Sequence, residues 1–268
     1  MNRYVNISYN DNALSVKTFK VMAEKLKKNG FTVTDEFDQN AELTVCIGGD
    51  GCFLDTVQTH SLPSMPIIGV NTGHLGFFQE ITPDGIDDFI TRYLNGKYVI
   101  QDLPAVMITC ITDDQKVYTH YGINEVYVRG PHTKLLHLNL SIDDTYIERF
   151  SGDGILVATP AGSTAYNYSL GGSIVDPRIN VLQVTPIAPM NTIAYRSFTS
   201  SLLLPSDLTI SIIPEKRSDS SHLYIMFDGW EQQYDNIKEL RISYSSNIVK
   251  LIRLDSYSFW NTVKTKFL

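Results

Sequence analysis

Gly48-Gly49-Asp50-Gly51 lies between a short apolar run, Leu43-Thr44-Val45-Cys46-Ile47, and a stretch from about Cys52 to His60 with helical character. Paired glycines at the end of a strand allow positive φ and let backbone N–H groups approach a phosphate closely. A helix starting just afterwards adds its positive N-terminal end. An aspartate inside such a turn opposes an anion by charge, so it points to chemistry. It suits a base that takes a proton from an attacking hydroxyl, or a partner of Mg²⁺. Gly48, Gly49 and Gly51 are then the groups that receive a donor phosphate. An isolated GGDG is also compatible with an idle tight turn closed by an Asx bend.

Two further groups of residues narrow the choice. Asn124-Glu125 stands at the start of a predicted strand, where an amide and a carboxylate can hold ribose hydroxyls or an adenine edge. By itself this pair reads as an ordinary exposed loop. The stretch from Ser151 to Tyr166, SGDGILVATPAGSTAY, repeats GDG before a buried strand and continues into a turn rich in Gly, Ser and Thr. So many small polar residues supply backbone and hydroxyl donors around one pocket. Other signatures are missing. There is no Walker A sequence, and Gly69, Gly73 and Gly76 lack the GxGxxG spacing. Ser163 has no GxSxG elbow. His60, His74, His120, His132, His137 and His222 show no paired metal spacing, and Cys46, Cys52 and Cys110 form neither CxxC nor a disulfide framework.

The elements that must position these residues fall into two textures. Tyr4–Tyr9 reads as a strand, and 13–29 as a helix with Phe19, Met22, Ala23 and Leu26 on one face and Gly30 as its cap. Strands follow at 31–34, 43–47 and 65–70, the last running into Asn71-Thr72-Gly73-His74-Leu75-Gly76. Thr82-Pro83 then opens a helix that Asn95-Gly96 stops. Buried strands alternating with helices imply a parallel sheet of Rossmann-like type. From Tyr98 on, many short strands at near-regular spacing predict an antiparallel β-sandwich. The expected division is 1–103, an α/β domain; 104–250, an all-β domain; and 251–268, a segment that begins as a strand, becomes helical around Phe259, Trp260, Val263 and Phe267, and packs back on the first domain.

The 268 residues carry 43% hydrophobic and 19% charged side chains and a net charge of -7, which fits a soluble globular protein. Lys and Arg are scattered, the densest group being Lys25, Lys27 and Lys28 at a helix end. A nucleic-acid footprint, which needs a clustered basic face, is not expected. MNRYVNISYN has no apolar leader segment, and no apolar run reaches the roughly 18 residues of a membrane span, so a cytoplasmic protein that does not engage membranes is expected.

Taken in order, GGDG at 48–51, NTGHLGFF at 71–78, NE at 124–125 and GDGILVATPAGSTAYNYSLGG at 152–172 resemble the motif series of NAD kinases over nearly the whole chain. GGDG alone is shared with lipid kinases and phosphofructokinases; the TGHLGF and TPxGSTAY blocks separate NAD kinases from them. The resemblance implies a two-domain kinase, a homo-oligomer (dimer or tetramer), that phosphorylates the 2′-hydroxyl of the adenosine ribose of NAD. The implied donor is ATP or polyphosphate, with Mg²⁺ or another divalent cation. By carry-over Asp50 is the base, with Gly51 beside the ribose and Phe77 and Phe78 against the adenosine. Asn124 and Glu125 hold adenine and nicotinamide ribose, and Asp153 the nicotinamide end. Thr164, Ala165, Tyr166, Asn167, Tyr168 and Ser169 line the rest of the dinucleotide site, and Ala188 and Asn191 lie near a neighbouring subunit's site. Three positions depart from the family pattern. Ser151 stands where Arg or Lys is common, Asp228-Gly229-Trp230 where DGQ is common, and Ile193-Ala194-Tyr195-Arg196 where Asn-Asn-Arg is common. A lipid or small-alcohol kinase of the GGDG type and a non-catalytic NAD(P)-binding sensor are the competing readings.

Overall fold

The computed structural model describes residues 3–34, 36–131, 135–193, 195–215 and 222–267; His132 and Ala194 lie outside them. By its internal contacts the chain forms two units. One comprises Met1–Leu103 with Asn247–Leu268, the other Pro104–Ser246.

The first unit is α/β. Strands β1 (Arg3–Tyr9), β2 (Phe31–Val33), β3 (Leu43–Gly48) and β4 (Ile67–Asn71) pair in parallel in the order β2-β1-β3-β4. The helices are α1 (Ala13–Lys28), α2 (Asp50–Thr59) and α3 (Ile86–Leu94). Every residue of β3 is buried, as expected for a central strand covered on both faces. The core joins Val5, Leu43, Val45 and Val70 of the strands to Met22 and Leu26 of α1 and Phe89 and Ile90 of α3. Asn12 caps α1, its side-chain oxygen accepting from the Leu14 N–H at 2.9 Å. Two local outcomes differ from the sequence pattern. The helix after the glycines starts at Asp50, because Gly49 is extended (φ -103°, ψ -170°) and serves as the cap. Asp50 therefore sits in the first turn, where its charge complements the helix dipole. At Thr82-Pro83 a short 3-10 turn, Pro83–Gly85, precedes α3, and Thr82 makes no side-chain cap.

The second unit is an antiparallel sandwich. Its strands are β5 (Val99–Thr112), which enters from the first unit, β6 (Val117–Gly122), β7 (Glu125–Arg129), β8 (Leu136–Ile142), β9 (Thr145–Gly152) and β10 (Gly154–Ala158). They continue with β11 (Val181–Ile187), β12 (Leu202–Pro205), β13 (Ile210–Pro214), β14 (His222–Phe227), β15 (Trp230–Asp235) and β16 (Ile237–Arg253). One sheet runs β12-β11-β10-β7-β14-β15. The other contains β16-β13-β8-β9, and β5 pairs with β6. Side chains of both sheets, among them Val126, Ile155, Val157 and Ile225 from one and Leu138, Phe150, Ile210 and Ile242 from the other, share one core. A short helix, α4 (Tyr166–Ser169), lies outside this core. Two strands are longer than the short runs expected: β5 has 14 residues and β16 has 17. Pro104 breaks the sequence pattern within β5 but not the strand, because proline's fixed φ suits extended backbone and only a ladder donor is lost. The end of β16 returns to the first unit, where Leu251 pairs in parallel with Ile67 of β4, and α5 (Phe259–Phe267) follows.

Among the described residues no helix is long and apolar enough to cross a membrane.

Candidate active site

In the first unit, β3 delivers Gly48 and Gly49 to the sheet's carboxyl edge and α2 begins on the next residue. Ligands of open α/β sheets bind at that edge. The Asp50 carboxylate does not point idly into solvent. Its Oδ2 accepts the backbone N–H of Phe77 at 2.9 Å and its Oδ1 that of Phe78 at 3.0 Å. The loop after β4 is therefore tied to the turn after β3 through the carboxylate itself. Gly76 makes this possible, because a Cβ there would overlap Asp50 Oδ1. Gln79 adds a second tie, its Nε2 donating to the Gly49 carbonyl at 2.9 Å. A carboxylate has about four lone-pair positions, so two amide bonds fix its plane and leave acceptor capacity for a hydroxyl proton.

The Phe77 backbone is held from behind. Arg253, at the end of β16, donates from Nη2 to the Phe77 carbonyl at 2.8 Å, from Nη1 to Glu80 at 3.1 Å and from Nε to Gln101 at 2.7 Å. Its guanidinium also lies 3.5 Å from the Tyr257 ring centre. Burial pushes the Glu80 carboxyl upward, while the Leu254 N–H and Arg253 pull it back. The Phe77 ring packs between Phe259 and Phe267 of α5, with centroids 5.7 and 6.1 Å away. Lys266, on the same helix, places Nζ 4.9 Å from the Phe77 ring centre and 3.8 Å from Asp50 Oδ2. Phe78 stacks on Phe53 of α2 at 4.5 Å. Both phenylalanine rings are buried, and what they give the turn is the amides that orient Asp50.

In the second unit, Asn124 and Glu125 are buried at the start of β7, not exposed as an ordinary loop pair would be. Thr159 grips this corner, its N–H donating to the Asn124 carbonyl at 2.9 Å and its hydroxyl to the Ile123 carbonyl at 2.6 Å. Gly162 passes so close that a Cβ would overlap the Asn124 carbonyl oxygen. On the other side Asp228 accepts the N–H groups of Ile123 at 2.7 Å, Asn124 at 2.8 Å and Glu125 at 3.3 Å. Asn124 Oδ1 and Glu125 Oε2 remain buried without a hydrogen-bond partner. Buried acceptors left open cost free energy unless a ligand or water completes them. Burial, then the charge of Asp228, pushes the Glu125 carboxyl up to about 8.

The stretch from 151 to 169 wraps strand β10. Ile155 and Val157 face the sandwich core, while Leu156 and Ala158 face outward under Tyr127, Tyr166 and Leu170. This two-sided burial explains the unbroken apolar run that the sequence shows. Ser163 and Asn167 hold the loop's shape: the Ser163 hydroxyl donates to the Pro160 carbonyl at 2.7 Å, and the Asn167 side chain accepts from Thr185 at 2.6 Å. Asn167 is thus fully buried and committed to its own unit. Thr164 is buried, Ala165 and Tyr166 are half-buried, and Tyr168 and Ser169 are exposed. Ser151, at the position where the family commonly has a cation, is buried and its hydroxyl pairs with His137 Nδ1 at 2.7 Å. Asp153 is exposed, with its N–H donating to Ile187 at 2.9 Å. Ala188 follows directly, in the left-handed region at φ 43°.

The structure thus assembles Gly48, Gly49, Asp50 and Gly51 with Phe77 and Phe78 in the first unit. In the second it brings Asn124 and Glu125 against the Thr159–Gly162 turn, and Ser151 and Asp153 near Ala188. Sequence reasoning assigned no role to Gly76, Gln79, Arg253, Lys266 or Asp228. Gly76 and Asp228 stood inside quoted motifs, but what they touch lies far along the chain. No group of three or more His, Cys, Asp or Glu side chains converges to hold a metal among the described residues.

The chain is similar to known proteins over nearly its whole length. Residues 6–98 match the ATP-NAD kinase N-terminal domain and residues 123–254 the ATP-NAD kinase C-terminal domain. An NAD kinase of Finegoldia magna is 40% identical over 99% of this chain and 98% of its own length. NAD kinase 2 of Geobacillus kaustophilus is 32% identical over 94% of this chain and 93% of its own. The fold matches crystal structures of yeast NADH kinase complexed with NADH (TM-score 0.86, 18% identity, 98% of this chain and 86% of that one) and of an Archaeoglobus fulgidus NAD kinase in complex with ATP (TM-score 0.76, 23% identity, 98% and 99%). With both halves matched in order and a full-length relative at this identity, the chain belongs to the NAD kinase family.

Proposed function

We propose that the chain transfers a phosphoryl group to the 2′-hydroxyl of the adenosine ribose of NAD, making NADP, with ATP or polyphosphate as donor. One observation carries the reading: a partly exposed aspartate in a glycine turn, fixed in plane by two backbone amides with acceptor capacity left over. Asp50 accepts the hydroxyl proton as the ribose oxygen bonds to the terminal phosphorus, and the bond from that phosphorus to its bridging oxygen breaks. Phosphoryl transfer runs through a loose transition state, so positioning supplies most of the rate and the base need act only late. The open acceptors of Asn124 and Glu125 are the groups proposed to hold the ribose and adenine edges. Phe77 and Phe78 toward the adenosine, Asp153, and the segment Thr164–Ser169 are proposed to complete the dinucleotide site by the family resemblance.

The donor is proposed to carry Mg²⁺ or another divalent cation, which neutralises phosphate charge. No ready-made cluster of three ligands occurs among the described residues, which fits a cation held chiefly by the donor's phosphates. A homo-oligomer in the cytoplasm, where NAD and ATP are available, completes the proposal and rests on the family resemblance. Light scattering and cell fractionation test those two points. The central test is NADP formation by purified protein with Mg²⁺ and either ATP or polyphosphate; no product with either donor overturns the reading.

A further inference from the structure

Asp228 and Gly229 form the two-residue loop of the β14–β15 hairpin, closed by the Phe227–Trp230 pair. Both have positive φ, 47° and 87°, the geometry that favours Asp-Gly in such turns. That accounts for the backbone but not for the side chain. An aspartate serving only the turn would be solvated at its tip, whereas Asp228 is 6% exposed and folds inward. Its two oxygens collect three consecutive amides, those of Ile123, Asn124 and Glu125, and its own N–H donates to the Glu125 carbonyl at 3.3 Å. Three N–H donors on one buried carboxylate are a strong, charge-assisted arrangement, without which the buried charge would be costly.

The consequence lies one bond away. The residues whose amides are captured carry Asn124 Oδ1 and Glu125 Oε2, both buried and unpartnered. We infer that Asp228 is a positioning residue: by drawing in the amides of 123–125 it presents those two open acceptors to the ribose hydroxyls and adenine edge of a bound nucleotide. The inference rests on the nucleotide reading given above and adds the group that sets the geometry. Thr159 and Gly162 close the opposite side of the same corner, so the pair is clamped between two turns and has little freedom to retract. Burial beside the Asp228 charge also keeps Glu125 protonated near neutrality. Glu125 then brings a donor as well as acceptors to a diol.

The test compares the wild type with Asp228→Asn, which keeps the size and the left-handed tolerance of aspartate but removes the charge and one acceptor. Amide hydrogen exchange at 123–125 is expected to accelerate about ten-fold or more. NAD affinity by calorimetry is expected to fall about ten- to a hundred-fold, the range for losing a charged hydrogen-bond anchor. In turnover the loss should appear in KM for NAD, with KM for the donor unchanged and kcat within a few-fold. Wild-type exchange rates and NAD affinity in the variant overturn the inference, as does a fall in kcat with KM for NAD unchanged. If Asp228→Asn unfolds, exchange rises across the whole unit, and Glu125→Leu decides instead. That variant keeps all three amide bonds but removes the open acceptor, so it should exchange slowly at 123–125 and still bind NAD weakly; unchanged NAD binding overturns the inference. A wild type that neither binds NAD nor makes NADP sinks the nucleotide reading, while the exchange comparison still reports whether Asp228 holds the corner.

Discussion

Asp50 is made useful by atoms that belong to other residues. Replacing it with Asn keeps a side chain able to accept one amide but removes the base. NADP formation should fall about 10²- to 10⁴-fold while NAD affinity by calorimetry stays within a few-fold; retained turnover would remove Asp50 from the mechanism. Gly76→Ala tests the same carboxylate from outside, since the new methyl would displace Asp50 Oδ1 from the Phe78 amide. A drop in kcat of ten-fold or more is expected, because small misplacements at a reacting group cost about two orders of magnitude. Glu125 supplies a test through pH. Burial, then the Asp228 charge, pushes its carboxyl up to about 8, well above the ordinary carboxylate value of about 4.3. Between those values the folded state holds a proton that the unfolded state has lost, so stability falls as pH rises, by up to about 1.4 kcal/mol per unit. Glu125→Gln should flatten this slope, and melting followed from pH 5 to 8.5 would show it; parallel curves for the two proteins would refute it. The residues of the proposed site were legible as candidates in the sequence because a glycine turn, an Asn-Glu pair and a second GDG are local patterns. Their holders were not: Gly76 meets Asp50, and Asp228 meets Ile123, only through the fold, and no spacing encodes those contacts.

At the scale of elements, the decisive local fact is that α2 begins on Asp50. Sequence pattern placed the helix two residues later, because glycine and aspartate carry weak helix propensity and the boundary is set by the extended Gly49. Strand β10 was legible as a buried run, but only the structure shows that its second face lies under Tyr127, Tyr166 and Leu170. Helix α5 showed its aromatic spacing without showing its target, which is Phe77. Two substitutions separate packing from charge there. Phe267→Ala removes one of the rings beside Phe77 and should lower stability by about 1–2 kcal/mol in denaturant unfolding. Lys266→Met breaks a contact 3.8 Å long between partly exposed groups, so it should change stability by less than about 0.5 kcal/mol. A larger loss at Lys266 than at Phe267 would contradict that division.

For the molecule as a whole, the change from helix-strand alternation to short strands after Tyr98 foretold an α/β sheet and an antiparallel sandwich, since burial on two faces or one leaves different hydrophobic patterns. Strand length was not foretold. β5 and β16 run on through residues that read as interruptions, because extended pairing tolerates them when neighbouring strands supply the remaining ladder. β16 also gives the first unit an unusual history. Its strand edge at β4 and the ring of Phe77 receive their partners, Leu251 and α5, from residues 247–268. A ribosome delivers those residues only after all of 104–246 has emerged. The nascent first unit therefore emerges with that sheet edge unpaired and that aromatic ring uncovered until residues 247–268 follow.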